Sequence, residues 1–267
     1  MKQQSKKFYT WITFPKSRIA TVDIGEIGGR KHHVAAILEA DVTDARIRLK
    51  DLKRSGIRVS FNAWMVKVIA GTISEHKLVA AFLKGSRKAV VFDDVNISFL
   101  IEKEINGQRV PIPLLIPQAN NLSVAEITGL LDESVNKTLS GNDILISRKP
   151  TFLEKLYYNL PGFLRRAIWK IMLKRPDYVF GKMGNAAITS IGMFGKINGW
   201  FIPITVHPVC IGLGSVIKKP LVVDDKIEIR EVLNMTVLFD HDVIDGAPAA
   251  RFIRDLVKGI EKGLFLE

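Results

Sequence analysis

The sequence predicts a single α/β domain. Three observations carry that reading: apolar runs of strand length alternate with stretches of helical period, 47% of the residues are hydrophobic, and 267 residues suffice to bury one large core. The domain is taken to span residues 1–267, with a basic amphipathic helical insert at about 138–184.

Residues 1–33 have mixed polarity, and Gly25, Gly28 and Gly29 mark turns. Val34 to Val42 reads as a strand, with Thr43 as N-cap of a helix through Arg54. Ser60 precedes Phe61, Trp64, Met65, Val68, Ile69 and Ile73, whose spacing of three and four makes a strongly amphipathic core helix. Strand patterns follow at Ala89–Phe92, Asn96–Ile101 and Arg109–Ile116. Pro111 and Pro113 restrict the last of these to an edge or a bulge, because proline has no amide hydrogen to give to a ladder. Ser123-Val124-Ala125-Glu126 is a capping box opening a helix to about Lys137.

Two helical stripes lie in the insert: Phe152, Leu153, Leu156, Tyr157 and Leu160, then Leu164, Ile168, Ile171 and Met172. Arg165, Arg166, Lys170, Lys174 and Arg175 fall mostly off the second stripe. Such a hairpin can dock on an acidic partner or a membrane surface. The preferred reading is an extra layer packed on the domain, since most apolar helix faces are core. Lys226 to Arg230 alternates as a strand and leads into Val232, Leu233, Met235, Val237, Leu238 and Phe239, a largely buried strand. Ala250, Ile253, Val257 and Ile260 then recur at helical spacing.

A net charge of +12 attracts phosphates, acidic carrier proteins, anionic lipid or nucleic acid alike. No zinc-ligand spacing, RNA-binding aromatic signature or helix-turn-helix pattern accompanies it, so neither a metal nor a nucleic acid is expected. The single cysteine, Cys210, excludes an intrachain disulfide and suits a cytoplasmic chain. The first eighteen residues have no continuous apolar core of a signal peptide, and no run is long enough to span a bilayer.

The candidate chemistry sits at Phe239-Asp240-His241-Asp242-Val243-Ile244-Asp245-Gly246-Ala247, a strand-to-helix corner. Such corners hold side chains at the end of a sheet, where a substrate reaches them. Imidazole takes and returns a proton near neutral pH, so His241 is a candidate general base. The same residues also fit a satisfied turn histidine, with Asp245 capping the helix that begins at Gly246.

His241-x-x-x-Asp245-Gly246 resembles the HxxxDG signature shared by chloramphenicol acetyltransferases and the catalytic domains of the dihydrolipoyl acyltransferases of 2-oxoacid dehydrogenase complexes. With Asp240 before the histidine it is similar to the second group, which usually reads DHRxxDGA; the chain departs at Asp242, where that group usually has arginine. Asn185 to Gly195, NAAITSIGMFG, resembles that group's "FTISNLGMFG" strand and glycine turn. Leu78 to Phe82 and Val110 to Ile116 are similar to its "pelNasf" and "GLVVPVI" stretches, and Trp200 to Ile204 with Val209 to Gly214 to its "IINPPQAAILGVG" pattern; His207, near the prolines of that pattern, is read as structural or exposed. The likeness covers roughly residues 34–137 and 185–263.

The resemblance implies a two-layer α/β sandwich of chloramphenicol acetyltransferase type, a mixed sheet covered by helices. It implies a trimer or a multiple of one, with the histidine from one chain and the oxyanion hydroxyl from its neighbour. The reaction implied is acyl transfer from a thioester, with acyl-coenzyme A as donor and a thiol, hydroxyl or amine as acceptor. His241 would be the base and Ser190 the oxyanion donor, with Thr189 in reserve. Asp245 would hold the geometry with Arg30, which matches a chloramphenicol acetyltransferase arginine, and Gly246 completes the signature. A local reading of Thr189 and Ser190 as strand-end hydroxyls satisfying nearby backbone stands beside this. The chain is expected to act without lipoyl or subunit-binding domains of its own, so an acidic acyl carrier or a lipoyl domain on another polypeptide is an expected partner class. Two other classes stay open: a non-catalytic trimeric scaffold or carrier-docking module, and a peripheral membrane protein using Leu164–Arg175.

Overall fold

The computed structural model describes residues 9–14, 18–105, 108–136, 156–192 and 195–266. In chain order the elements are α1 (Arg18–Gly28), β1 (His33–Asp41), α2 (Thr43–Arg54), α3 (Phe61–Glu75), β2 (Phe82–Lys84), β3 (Lys88–Val90), β4 (Ile97–Ile105), β5 (Gln108–Ile116) and α4 (Val124–Asn136). They continue with α5 (Gly162–Leu173), α6 (Pro176–Met183), β6 (Ala186–Ser190), β7 (Val209–Val223), β8 (Lys226–Asp240) and α7 (Gly246–Glu261). Six strands form one sheet in the order β1-β8-β7-β6-β4-β5, while β2 and β3 make a separate hairpin. β6 runs parallel to β4 and β7, and the other pairings are antiparallel, so the sheet is mixed as the resemblance implies.

Strand alternation decides what each face carries. Ile97, Phe99 and Ile101 on β4, Ala186 and Ile188 on β6, Ile211 and Leu213 on β7, and Leu233, Met235, Val237 and Phe239 on β8 join one core with α2, α3, α4 and α7. Trp64, Met65 and Ile69 of α3 are fully buried in it. Ala187, Cys210 and Leu238, one residue out of step, face the other way in a small second cluster. β5, with Pro111 and Pro113, is the sheet's edge, where a missing ladder donor costs nothing.

Several local expectations change. Residues 18–28 form helix α1 where turns were expected; Gly28 has another purpose, because a Cβ there would lie 2.5 Å from the Thr205 carbonyl oxygen. Thr43 is the first residue of α2 and not its cap. Asp41 accepts the Thr43 amide at 2.9 Å, and the Thr43 hydroxyl accepts the Glu231 amide at 2.7 Å, tying the helix start to β8. The capping box forms as expected: Glu126 accepts the Ser123 amide at 2.7 Å and Ser123 accepts the Glu126 amide at 3.2 Å.

The insert packs on the domain, yet with the expected stripe turned outward. Trp169 is buried, and Arg165 donates to the buried carboxylate of Asp23 on α1 at 2.7 Å, which also accepts from the Tyr157 hydroxyl. Trp169 Nε1 donates to that hydroxyl at 2.9 Å. A buried carboxylate requires such partners, and they outrank the aliphatic stripe in orienting α5. Phe152 and Leu153 of the other expected stripe lie outside the described residues, as does most of the stretch read for a signal peptide.

Beyond β1 and β6, the outer halves of β7 and β8 project as a two-stranded ribbon turning at Asp224 and Asp225. Val222, Ile227 and Ile229 are exposed on it.

Candidate active site

β8 ends at Asp240, and the chain turns through His241–Val243 before Asp245 takes the N-cap position of α7. The corner is clamped from both sides of the histidine. Asp240 is buried and ion-paired to Lys31, and the His241 amide donates to the His32 carbonyl at 2.9 Å. His32 Nδ1 donates to Asp242 at 2.9 Å, and that bond raises the His32 pKa above its ordinary value. Asp242, the departure from the familiar arginine, is therefore engaged by a basic residue from the lead into β1. The His241 ring and the Asp245 carboxylate are both exposed, and Asp245 makes no side-chain cap bond. Among the described residues neither side chain has a hydrogen-bond partner, which leaves both open to a substrate or a second chain.

Arg30 is not brought to Asp245. It donates to Glu26 at 2.7 Å, one helical turn back, and this exposed pair holds it on the α1 side. The chloramphenicol acetyltransferase pairing expected for it is thus not formed within the chain.

Thr189 and Ser190 are adjacent on β6, so they point to opposite faces of the sheet. Ser190 shares the helix-covered face and lines a cavity of about 570 Å³ with Arg46, Lys50 and Lys53 of α2, Asn62 at the start of α3, and Lys196. Thr189 lines the other, a predominantly apolar cavity of about 420 Å³. Its walls include Ile24 of α1, Leu100, Pro113, Ala187 and Tyr158. Gly192, whose Cβ would lie 2.8 Å from the Gly214 carbonyl oxygen, lets the chain after β6 turn closely against β7.

His207 and Cys210 also border the apolar cavity. Burial pushes the Cys210 thiol up to about 12, so it stays protonated and is no nucleophile at neutral pH. His207 is buried; its Nε2 donates to the Met183 carbonyl at 3.1 Å, and the Thr205 hydroxyl donates to its Nδ1 at 3.0 Å. Burial lowers its pKa from 6.5 to about 4. The unfolded chain therefore binds the extra proton first, and stability falls as pH drops from 6.5 toward 4 by roughly 3 kcal/mol. Urea unfolding at pH 7 and 4.5 should show that loss in wild type and a smaller one in His207→Gln; equal losses would contradict the assignment.

The sheet register sets the separation of the two hydroxyls from the histidine. Thr189 is level with Gly212 and Thr236, and Ser190 with Leu213 and Met235, whereas His241 lies beyond Asp240 at the far end of β8. Five or six residues along a strand and two strand spacings across give roughly 20 Å. No hydroxyl of β6 reaches the same chain's imidazole.

The sequence family described as 2-oxoacid dehydrogenases acyltransferase (catalytic domain) matches residues 31–143 and 180–266. The chain belongs to this family. The stretch between the two matched blocks overlaps the insert that carries α5 and α6. Among relatives, the dihydrolipoyllysine-residue acetyltransferase component of the Mycobacterium tuberculosis pyruvate dehydrogenase complex is 24% identical over 227 residues, 83% of this chain and 34% of the relative. The mitochondrial dihydrolipoyllysine-residue succinyltransferase of Bos taurus is 23% identical over 225 residues, 83% of this chain and 41% of the relative. This acyltransferase-family chain thus spans well under half the length of these curated relatives. Among solved structures, a probable dihydrolipoamide acetyltransferase from Listeria monocytogenes superposes with a TM-score of 0.69 at 20% identity, covering 96% of this chain and 95% of that one. The dihydrolipoamide acetyltransferase of Azotobacter vinelandii, studied for the role of a serine, a histidine and an asparagine in its mechanism, gives 0.67 at 18% identity, covering 96% and 93%. The two-layer sandwich expected from the motifs is therefore this family's fold.

Proposed function

We propose that the chain is an acyltransferase that moves an acyl group from a thioester, with acyl-coenzyme A as donor, to a thiol, hydroxyl or amine acceptor. The observation that carries the proposal is the separation of an exposed His241, on a clamped loop, from the β6 hydroxyls, which supports a site built from two copies of the chain. A trimer, or a multiple of trimers, closes that arrangement with every histidine used once. The projecting ribbon of β7 and β8 supports it, since an isolated two-stranded ribbon with exposed Val222, Ile227 and Ile229 gains stability from a neighbour.

Thr189 is assigned as oxyanion donor in place of Ser190. It faces the apolar cavity, where a thioester's acyl group fits, whereas Ser190 faces the basic one. Spacing supports the choice. In the Azotobacter vinelandii enzyme the histidine and asparagine are four residues apart, as His241 and Asp245 are. Its serine precedes that histidine by as many residues as Thr189 precedes His241, one more than Ser190 does.

His241 of one chain takes the proton from the acceptor, whose freed electron pair attacks the thioester carbonyl carbon. The Thr189 hydroxyl of the neighbour donates a hydrogen bond to the oxyanion that forms. Collapse re-forms the carbonyl and breaks the carbon–sulfur bond, and the imidazolium returns its proton to the departing thiolate. The Lys31–Asp240 pair and the His241 amide on the His32 carbonyl hold the histidine loop, which leaves the exposed Asp245 carboxylate for the neighbouring chain. Lys50, Lys53 and Lys196, with the N-terminus of α3, supply positive charge for the phosphates of coenzyme A. No step needs a metal.

Formation of free coenzyme A from acyl-coenzyme A donors of graded length, separated by chromatography from the small thiol offered as acceptor, tests the assignment. Turnover is expected, fastest with apolar acyl groups that fill about 420 Å³. No release from any donor, with free or carrier-bound acyl groups, would leave the chain a scaffold or docking module.

A further inference from the structure

The outward face of α5 is an amphipathic surface with no counterpart in the acyl-transfer chemistry. Phe163, Leu164, Ile168 and Ile171 are 64%, 40%, 42% and 66% exposed. At about 100° per residue they share one side of the helix, roughly opposite Arg165, which is bonded to Asp23 of α1, and the buried Trp169, which donates to Tyr157. Arg166, Lys170 and Lys174 fall together on one margin of the apolar arc. None of the three has an acidic partner among the described residues; the nearest acid in sequence, Asp177, is 3.8 Å from Arg175.

We propose that this face docks the protein on an anionic lipid surface, with the four apolar side chains in the acyl–headgroup boundary and the three cations among the headgroups. Charge decides the occupant. A second copy would bring the same cations to the same margin in a chain of net charge +12, whereas an anionic bilayer complements both. No described helix is long and apolar enough to cross the membrane, so the contact is with its surface. Because Arg165 and Trp169 fix the inner face, docking needs no unfolding of α5.

Co-sedimentation of the full chain with vesicles of phosphatidylcholine alone, or with a third phosphatidylglycerol, tests this. Binding is expected to the anionic vesicles only, and to weaken as salt rises. Lys170→Glu/Lys174→Glu should weaken it at least about tenfold, and Phe163→Glu/Ile171→Glu should abolish it with unchanged circular dichroism and sedimentation coefficient. Failure to bind anionic vesicles at low salt, or binding that both double variants retain, would overturn the proposal. So would a drop in oligomer size in Phe163→Glu/Ile171→Glu, which would make the face a contact between copies. Tight binding of soluble polyglutamate that both double variants abolish, together with no binding to anionic vesicles, would reassign the surface to an acidic protein.

Discussion

His241→Ala is expected to reduce thioester turnover by about a hundredfold to ten-thousandfold, the range of a lost general base. The geometry makes this a test of chemistry and not of folding. The ring is exposed and bonds to nothing among the described residues, while the loop is held by the His241 amide on His32 and by buried Asp240 on Lys31. Removing the imidazole leaves both anchors in place, so urea unfolding should change by less than about 0.5 kcal/mol. Turnover at the wild-type rate in His241→Ala would remove the proposed mechanism.

The second large effect is expected at Thr189. Thr189→Ala should lower kcat about a hundredfold with KM little changed, because an oxyanion bond is made in the transition state and not with the bound ground state. Thr189→Ser keeps the hydroxyl and should keep most of the rate. Ser190→Ala should act more weakly, through the basic cavity, and appear in the KM for the donor. A large kcat loss in Ser190→Ala with an indifferent Thr189→Ala would restore the assignment first read from the sequence.

The proposed exchange of Ser190 for Thr189 marks how far a sequence carries such an assignment. The order of strands and helices, the Ser123 box and the buried α3 were legible because periodicity and caps are local. Helix α1 was not, since Gly25, Gly28 and Gly29 look like turns until Thr205 is seen to need the space of a side chain at Gly28. The stripe on α5 was legible as a stripe but not as an outer surface, because the pull of buried Asp23 on Arg165 and Tyr157 joins residues far apart in the chain. The signature around His241 marked the candidate site. Its clamps, Lys31 on Asp240 and His32 on Asp242, had only a faint signal in the run Arg30-Lys31-His32-His33. Which of Thr189 and Ser190 faces the apolar cavity depends on register, and one residue of register reverses every side chain.

The central claim is that each site is shared between chains. Co-expression of His241→Ala and Thr189→Ala with different tags, followed by isolation of oligomers carrying both, measures it most directly. Each variant alone should be nearly inactive. In a trimer that carries both variants, one interface of the three joins an intact histidine to an intact threonine, so about a third of wild-type turnover should return. Mixed oligomers no more active than either parent would place base and hydroxyl in one chain and contradict the account.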